Sequence, residues 1–247
     1  MILFPAIDLV AGQVVRLRRG DRKQMDVYST DPVAVAEDFA ARGTHWIHVV
    51  DLSATFEEDS DARMANARAI RGICQVPGIS VDTGGGVRDM DAVSRLAEAG
   101  ARRIAIGTAL VRDPAFAREA AREFADVVVA DVAAQDGRVR VNGWREGEDL
   151  MADELVSRLA QMGYRHLVFT DIARDGMQTG IDGNAYRHIA EVAGLPVVAS
   201  GGIATLGDLR ELAALGARVV EGAITGRALY EGSFSLEDAL AVAHAND

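Results

Sequence analysis

The sequence predicts an α/β fold, a closed (β/α)8 barrel of the TIM type built from two similar half-barrels, in one domain covering residues 1–247. Three observations predict it. Short apolar runs alternate strictly with amphipathic stretches, the length matches the about 250 residues that eight βα units occupy, and the chain carries an internal repeat.

Strands are expected at Ile2–Ile7, Trp46–Asp51, Ile79–Thr83, Arg103–Gly107, Val127–Asp131, His166–Asp171, Val197–Ser200 and Arg218–Ala223. Most are near-continuous apolar runs, as in a parallel sheet covered on both faces. Helical periodicity falls between them at Pro32–Arg42, Arg63–Ile73, Met90–Ala99, Pro114–Glu123, Ala152–Met162, Asn184–Ala193, Leu206–Leu215 and Leu236–Ala243. Alternation alone also fits a doubly wound open sheet. The repeat favours the barrel. Residues 84–102 (GGGVRDMDAVSRLAEAGAR) match residues 200–218 (SGGIATLGDLRELAALGAR) without a gap, because 201 − 85 and 216 − 100 both equal 116. Asp8 pairs with Asp131 and Asp51 with Asp171, each at the end of an apolar run. Two four-unit halves close naturally into eight strands.

Two βα connections are long. The first runs from about Val10 to Asp31 and holds Arg16, Arg18, Arg19 and Arg22. The fifth contains residues 137–144, whose alternation and turn glycines read as a small hairpin. In a barrel both insertions sit over the catalytic face.

Composition excludes several classes. Apolar residues make up 49% of the chain, enough for a large core, and neither the 25 glycines nor the five prolines form a low-complexity block. A net charge of −11 argues against nucleic acid as a partner. No apolar run approaches the roughly 18 residues of a membrane span. The first ten residues read as a strand rather than a signal peptide. The single cysteine, Cys74, points to a reducing compartment, here the cytoplasm. A monomer is expected. The five histidines show no metal-ligand spacing, so no metal is expected, and no Walker loop, Gly-x-Ser-x-Gly elbow or dinucleotide fingerprint is present.

Glycines and aspartates carry the chemistry. Gly85 and Gly86 follow the third strand, and Gly107-Thr108 the fourth. Gly201 and Gly202 follow the seventh, and Gly226-Arg227 the eighth. Bare backbone at strand ends lets N–H groups approach a phosphate closely. One such pair reads as a tight turn, whereas two symmetry-related sets predict a ligand phosphorylated at both ends. Among the strand-end carboxylates, Asp51 and Asp171 read as loop-ordering acceptors. Asp8 and Asp131 read as catalytic, facing each other across the barrel mouth as acid and base, with Asp175 in the loop after strand six.

Phe4-Pro5-Ala6-Ile7-Asp8-Leu9, His48-Val49-Val50-Asp51-Leu52, Gly84-Gly85-Gly86-Val87-Arg88, Gly143-Trp144, Thr170-Asp171-Ile172-Ala173-Arg174-Asp175-Gly176 and Ala199-Ser200-Gly201-Gly202-Ile203 occur in that order. The pattern closely resembles the phosphoribosylformimino-5-aminoimidazole carboxamide ribotide isomerases of histidine biosynthesis, over essentially the whole chain. The resemblance implies an Amadori rearrangement of an aminoaldose to an aminoketose, without cofactor or metal. It implies Asp8 as general base, Asp131 or Asp175 as general acid, and Thr170 as a supporting hydroxyl. It further implies Arg16 and Trp144 as substrate contacts, and the glycine sets as two phosphate sites.

The sequence departs from this pattern at Met177, where Thr is frequent, and at Asp82-Thr83, where apolar residues are commoner. The related cyclase usually opens with Cys-Leu-Asp in place of Ala6-Ile7-Asp8. A monofunctional phosphoribosyl anthranilate isomerase generally has a cysteine base near the end of strand one, where Cys74 does not lie. Dual-specificity isomerases usually carry Arg in place of Asn142. A silent ligand-binding barrel would not need Asp8, Asp131, Thr170 and Asp175 together.

Overall fold

Eight parallel strands close on themselves in the computed structural model of the chain, which describes all residues except Arg19, Gly20, Gln178, Asn246 and Asp247, and all side chains but those and Arg18, Asp21 and Lys23. The barrel strands are β1 (Ile2–Val10), β2 (Trp46–Asp51), β3 (Ser80–Gly84), β4 (Arg103–Ile106), β5 (Val128–Gln135), β6 (His166–Asp171), β7 (Val197–Ser200) and β8 (Val220–Thr225). Each pairs with its sequence neighbour, and β8 returns to β1 through the register Ile2↔Gly222 to Pro5↔Thr225. This is the expected barrel.

Among the described residues a helix of at least nine residues follows each strand: α1 (Pro32–Ala41), α2 (Ser60–Cys74), α3 (Met90–Ala99), α4 (Pro114–Glu123), α5 (Ala152–Met162), α6 (Gly183–Ala193), α7 (Leu206–Ala214) and α8 (Leu236–His244). All of these starts but that of α5 are set by side chains that accept otherwise orphaned N–H groups: Asp31, Asp59, Asp89, Asp113, Asp182 and Ser235 each cap a helix, and Thr205 with Asp208 forms a capping box. Asp59 explains why α2 begins three residues before its apolar periodicity does.

Two apolar layers result. The larger lies between sheet and helices, with Ile7, Leu9, Val49, Ile104, Val132 and Leu167 among its members. The smaller fills the barrel itself with Phe4, Ala105, Val129, Val168 and Val198, and Phe4 meets Trp46 at 5.5 Å between ring centroids. Strand alternation then fixes which residues point inward. Asp8 shares the face of Phe4, His48 that of Trp46, Asp131 that of Val129, and Thr170 that of Val168. Asp51 and Asp171 have the opposite parity and point toward the helices.

Both long connections are antiparallel hairpins. Gln13–Arg18 pairs with β1 and with Asp21–Ser29, and Arg138–Val141 pairs with β5 and with Glu146–Met151. The second matches expectation. The first does not read as strands in sequence, because its polar residues break the alternation. Of its arginines, Arg19 and the Arg18 side chain lie outside the described residues.

The hairpins also correct the repeat. Ala11-Gly12 and Asp136-Gly137 turn with positive φ (47° and 80°, 51° and 75°), an offset of 125. The barrel register agrees: Asp51 pairs with Leu9 and Asp171 with Ala134, again 125 apart. The structural counterpart of Asp8 is therefore Ala133, and that of Asp131 is Ala6. Asp8 and Asp131 are not symmetry mates. They sit two residues apart in equivalent strands, a step of about 7 Å along a strand.

Candidate active site

One cleft at the C-terminal ends of the strands is lined by every candidate catalytic and binding residue: Asp8, Arg16, Gly85, Gly86, Gly107, Thr108, Asp131, Trp144, Thr170, Asp175, Gly201, Gly202, Gly226 and Arg227. The inward parity of Asp8, Asp131 and Thr170 brings them there from three strands. The two hairpins add Arg16 and Trp144 from above.

The glycine sets fall on opposite sides, since β3 and β4 stand four strands from β7 and β8 around the closed barrel. Gly85 and Gly201 have φ of 102° and 92°. A Cβ on Gly85 would overlap the Asp51 carbonyl oxygen, and one on Gly201 that of Asp171. Packing against the preceding strand thus demands glycine at both positions before any ligand is considered. Among the described residues, no protein acceptor takes the backbone N–H of Gly85, Gly86, Gly107, Gly201, Gly202 or Gly226, so these donors remain available to the cleft. Thr108 Oγ1 accepts the Asn142 N–H at 2.8 Å, tying the second hairpin to its rim.

Asp8 is held by Arg16, whose Nη1 donates to Asp8 Oδ2 at 2.7 Å while Nη2 donates to the Ala6 carbonyl at 2.9 Å. The guanidinium lies 5.0 Å from the Tyr230 ring centre and abuts Gly226. Asp175 shares this cluster. Burial pushes its carboxyl up to about 6, Arg16 pulls it down, and Asp8 and Asp171 push it up. Asp131 occupies a second cluster. Burial raises it to about 6 as well, opposed by His48 and reinforced by Asp82. Arg227 donates to Gly176 O at 2.6 Å and also binds Glu231, bracing the loop that carries Asp175.

Asp51 and Asp171 act structurally, as their outward parity dictates. Asp51 accepts from Ala54 N at 2.9 Å and from Asn66 Nδ2 at 2.6 Å, and Asp171 accepts from Ala173 N at 3.1 Å.

Three residues escaped the sequence reading. His48 lines the cleft, bonded through Nδ1 to the buried Asp82 at 3.2 Å. Its inward parity with Trp46 was the available signal. Asn66 is fully buried on α2, donates to Leu9 O and Asp51, and accepts the Gly12 N–H at 2.7 Å. It thereby anchors the hairpin that carries Arg16.

The profile of the family described as histidine biosynthesis protein matches residues 2–235. The chain belongs to that family. It is 43% identical over 242 residues to a Rhodopseudomonas palustris protein named 1-(5-phosphoribosyl)-5-((5-phosphoribosylamino)methylideneamino) imidazole-4-carboxamide isomerase, covering 98% of this chain and 97% of that one. Proteins of the same name from Rhizobium etli (42%, 100% and 98% covered) and Xanthobacter autotrophicus (42%, 98% and 97% covered) are similar along their whole lengths.

Proposed function

We propose that the chain catalyses the reaction for which these relatives are named, the Amadori rearrangement of a bis-phosphorylated aminoaldose to its aminoketose in histidine biosynthesis. The observation that carries the reading is convergence. A carboxylate clasped by arginine and two carboxyls raised to about 6 share one cleft, between two opposed sets of unoccupied backbone donors.

Chemically, the ribose ring must open and a proton must move from C2′ to C1′. An acid protonates the ring oxygen as the C1′–O bond breaks, leaving a protonated Schiff base. A base then takes the C2′ proton, and the C–H electron pair neutralises the iminium as an enol-amine. Loss of the enol proton and protonation at C1′ complete the aminoketose. Asp8 is the base in this reading. The acid is Asp131 or Asp175, since a carboxyl near 6 still carries a proton for part of the time at neutral pH. Thr170 supports with its hydroxyl, Arg16 and Trp144 contact substrate, and Gly85, Gly86, Gly107 and Thr108 hold one phosphate. Gly201, Gly202, Gly226 and Arg227 hold the other. In this reading the protein is a cytoplasmic monomer, and sedimentation at micromolar concentration tests its oligomeric state.

Turnover of the bis-phosphorylated aminoaldose by the purified chain tests the proposal. Asp8→Asn keeps the volume but accepts no proton, and should lose about 100- to 10,000-fold in kcat with an unchanged melting transition. A wild-type chain without turnover overturns the function, and an active Asp8→Asn removes Asp8 from it.

A further inference from the structure

His48 on β2 and Asp82 on β3 are register partners, so their side chains leave adjacent strands on the same inward face. The Asp82 side chain is fully enclosed and that of His48 is 10% exposed. Their contact, Nδ1 to Oδ1 at 3.2 Å, is the one hydrogen bond found for the Asp82 carboxyl among the described residues, and Asp82 Oδ2 has no partner. A carboxylate enclosed with so little hydrogen bonding persists only beside a cation. In its ionised form it accepts and does not donate, and Nδ1 then carries the hydrogen. That leaves Nε2 as the ring nitrogen free to face the cleft His48 lines. The ionisable groups around the imidazole are Asp82 from β3, Asp131 from β5 and Asp8 from β1, the last already bonded to Arg16.

We propose that Asp82 is a positioning residue of this cleft: it grips His48 by Nδ1, favours the charged imidazole, and through that cation sets when Asp131 carries a proton. The proposal rests on reading the cleft as an acid–base site. Burial alone would strip the proton from His48. The charge and hydrogen bond of Asp82 oppose this, Asp131 and Asp8 add to them, and the balance lies upward. At Asp131, burial raises the carboxyl, and the pull of His48 exceeds the push of Asp82. Neutralising Asp82 therefore removes a small upward influence directly and, by discharging His48, a larger downward one. Asp131 should hold its proton to higher pH.

The test is a titration of the unliganded full chain by NMR, following the His48 ring nitrogens and the Asp131 carboxyl carbon in wild type, Asp82→Asn and His48→Gln. The wild type should show an imidazolium with both nitrogens protonated at pH 7 and an Asp131 midpoint about 6. Asp82→Asn should give a neutral ring at pH 7 and a higher Asp131 midpoint, and His48→Gln the same rise. An Asp82→Asn protein with His48 still charged and the Asp131 midpoint unmoved overturns the proposal. Should Asp82→Asn not fold, an unmoved midpoint in His48→Gln overturns it equally. None of these readouts needs turnover. If the midpoints move in a chain inactive on the aminoaldose, the positioning role stands and the proposed function fails. In an active chain whose acid is Asp131, Asp82→Asn also shifts the alkaline limb of kcat/KM upward, a change that a purely structural role would not produce.

Discussion

Arg16 Nη1 lies 2.7 Å from Asp8 Oδ2, and the same guanidinium reaches back to the carbonyl of Ala6 on the strand that carries Asp8. The first hairpin is thereby stitched to the carboxylate it covers. Arg16 also lowers the neighbouring Asp175 carboxyl. Arg16→Met removes a charged hydrogen bond of about 1.5–3 kcal/mol. We expect kcat/KM to fall roughly 10- to 100-fold, with Asp175 titrating above about 6. Steady-state kinetics and a carboxyl titration check both, and unchanged kinetics would detach the hairpin from catalysis.

The raised carboxyls burden the fold. Asp131 and Asp175 sit near 6 in the folded chain against about 4 when unfolded. Below pH 4 both states are protonated and no difference arises. Between about 4 and 6 the folded state keeps the proton that the unfolded state has lost. Above 6 each folded carboxylate is ionised at a cost of about 1–3 kcal/mol, the lower figure allowing for the open cleft. Asp131→Asn and Asp175→Asn should each melt higher than wild type at pH 8 and lose that advantage toward pH 4. Equal melting differences at both values would show that these carboxyls are not strained by burial.

Asn66→Ala strands the Gly12 N–H, the Leu9 carbonyl and one Asp51 bond inside the protein. Unsatisfied buried groups of this kind cost about 1–3 kcal/mol each and do not add fully, so a loss of about 3 kcal/mol is expected. Because the network anchors the hairpin bearing Arg16, KM should rise as well. Denaturant unfolding and kinetics on the same preparation separate the two effects, and a loss of stability at unchanged KM would confine Asn66 to the fold.

Substrate choice is the last prediction. Phosphoribosyl anthranilate has one phosphate and a carboxylate, so its capture calls for a cation in the cleft. Arg145 does not line the cleft. Its guanidinium bonds to Asn142 O at 2.8 Å and Oδ1 at 2.9 Å and lies over Phe56. We expect kcat/KM for the anthranilate to fall more than tenfold below that for the bis-phosphorylated aminoaldose. A ratio within tenfold of unity would show that Arg140, which does line the cleft, or a displaced Arg145 supplies the missing charge.

The barrel was legible because burial on both faces leaves apolar runs that polar loops punctuate, and β2, β6 and β7 begin and end where those runs do. β8 starts two residues later than Arg218 and extends to Thr225, which is polar yet still pairs with Pro5 in the ladder. Asp8 stood out as a polar residue at the end of an apolar run, whereas Thr170 was reached only through the family resemblance. His48 and Asp82 did not stand out, because their significance depends on β2 lying beside β3 in one particular register, and no local pattern encodes that pairing. The same blindness produced the slip between Asp8 and Asp131: sequence matched aspartate to aspartate, while the backbone matches Asp131 to Ala6.

That two-residue stagger gives the cleft a head and a tail. A twofold-symmetric barrel with a phosphate cradle at each end would receive an elongated ligand equally well in either direction, and half of all encounters would be reversed. With Asp8 one step higher on its strand than Asp131 is on the equivalent strand, turning the ligand end for end no longer restores the same neighbours. Under the proposed function, only one direction sets the aminoaldose, and not the ribosyl group on the imidazole, against the arginine-clasped carboxylate. Under the proposed function, a duplicated scaffold tells two similar ends apart by a shift in depth, with no need for the cradles themselves to differ.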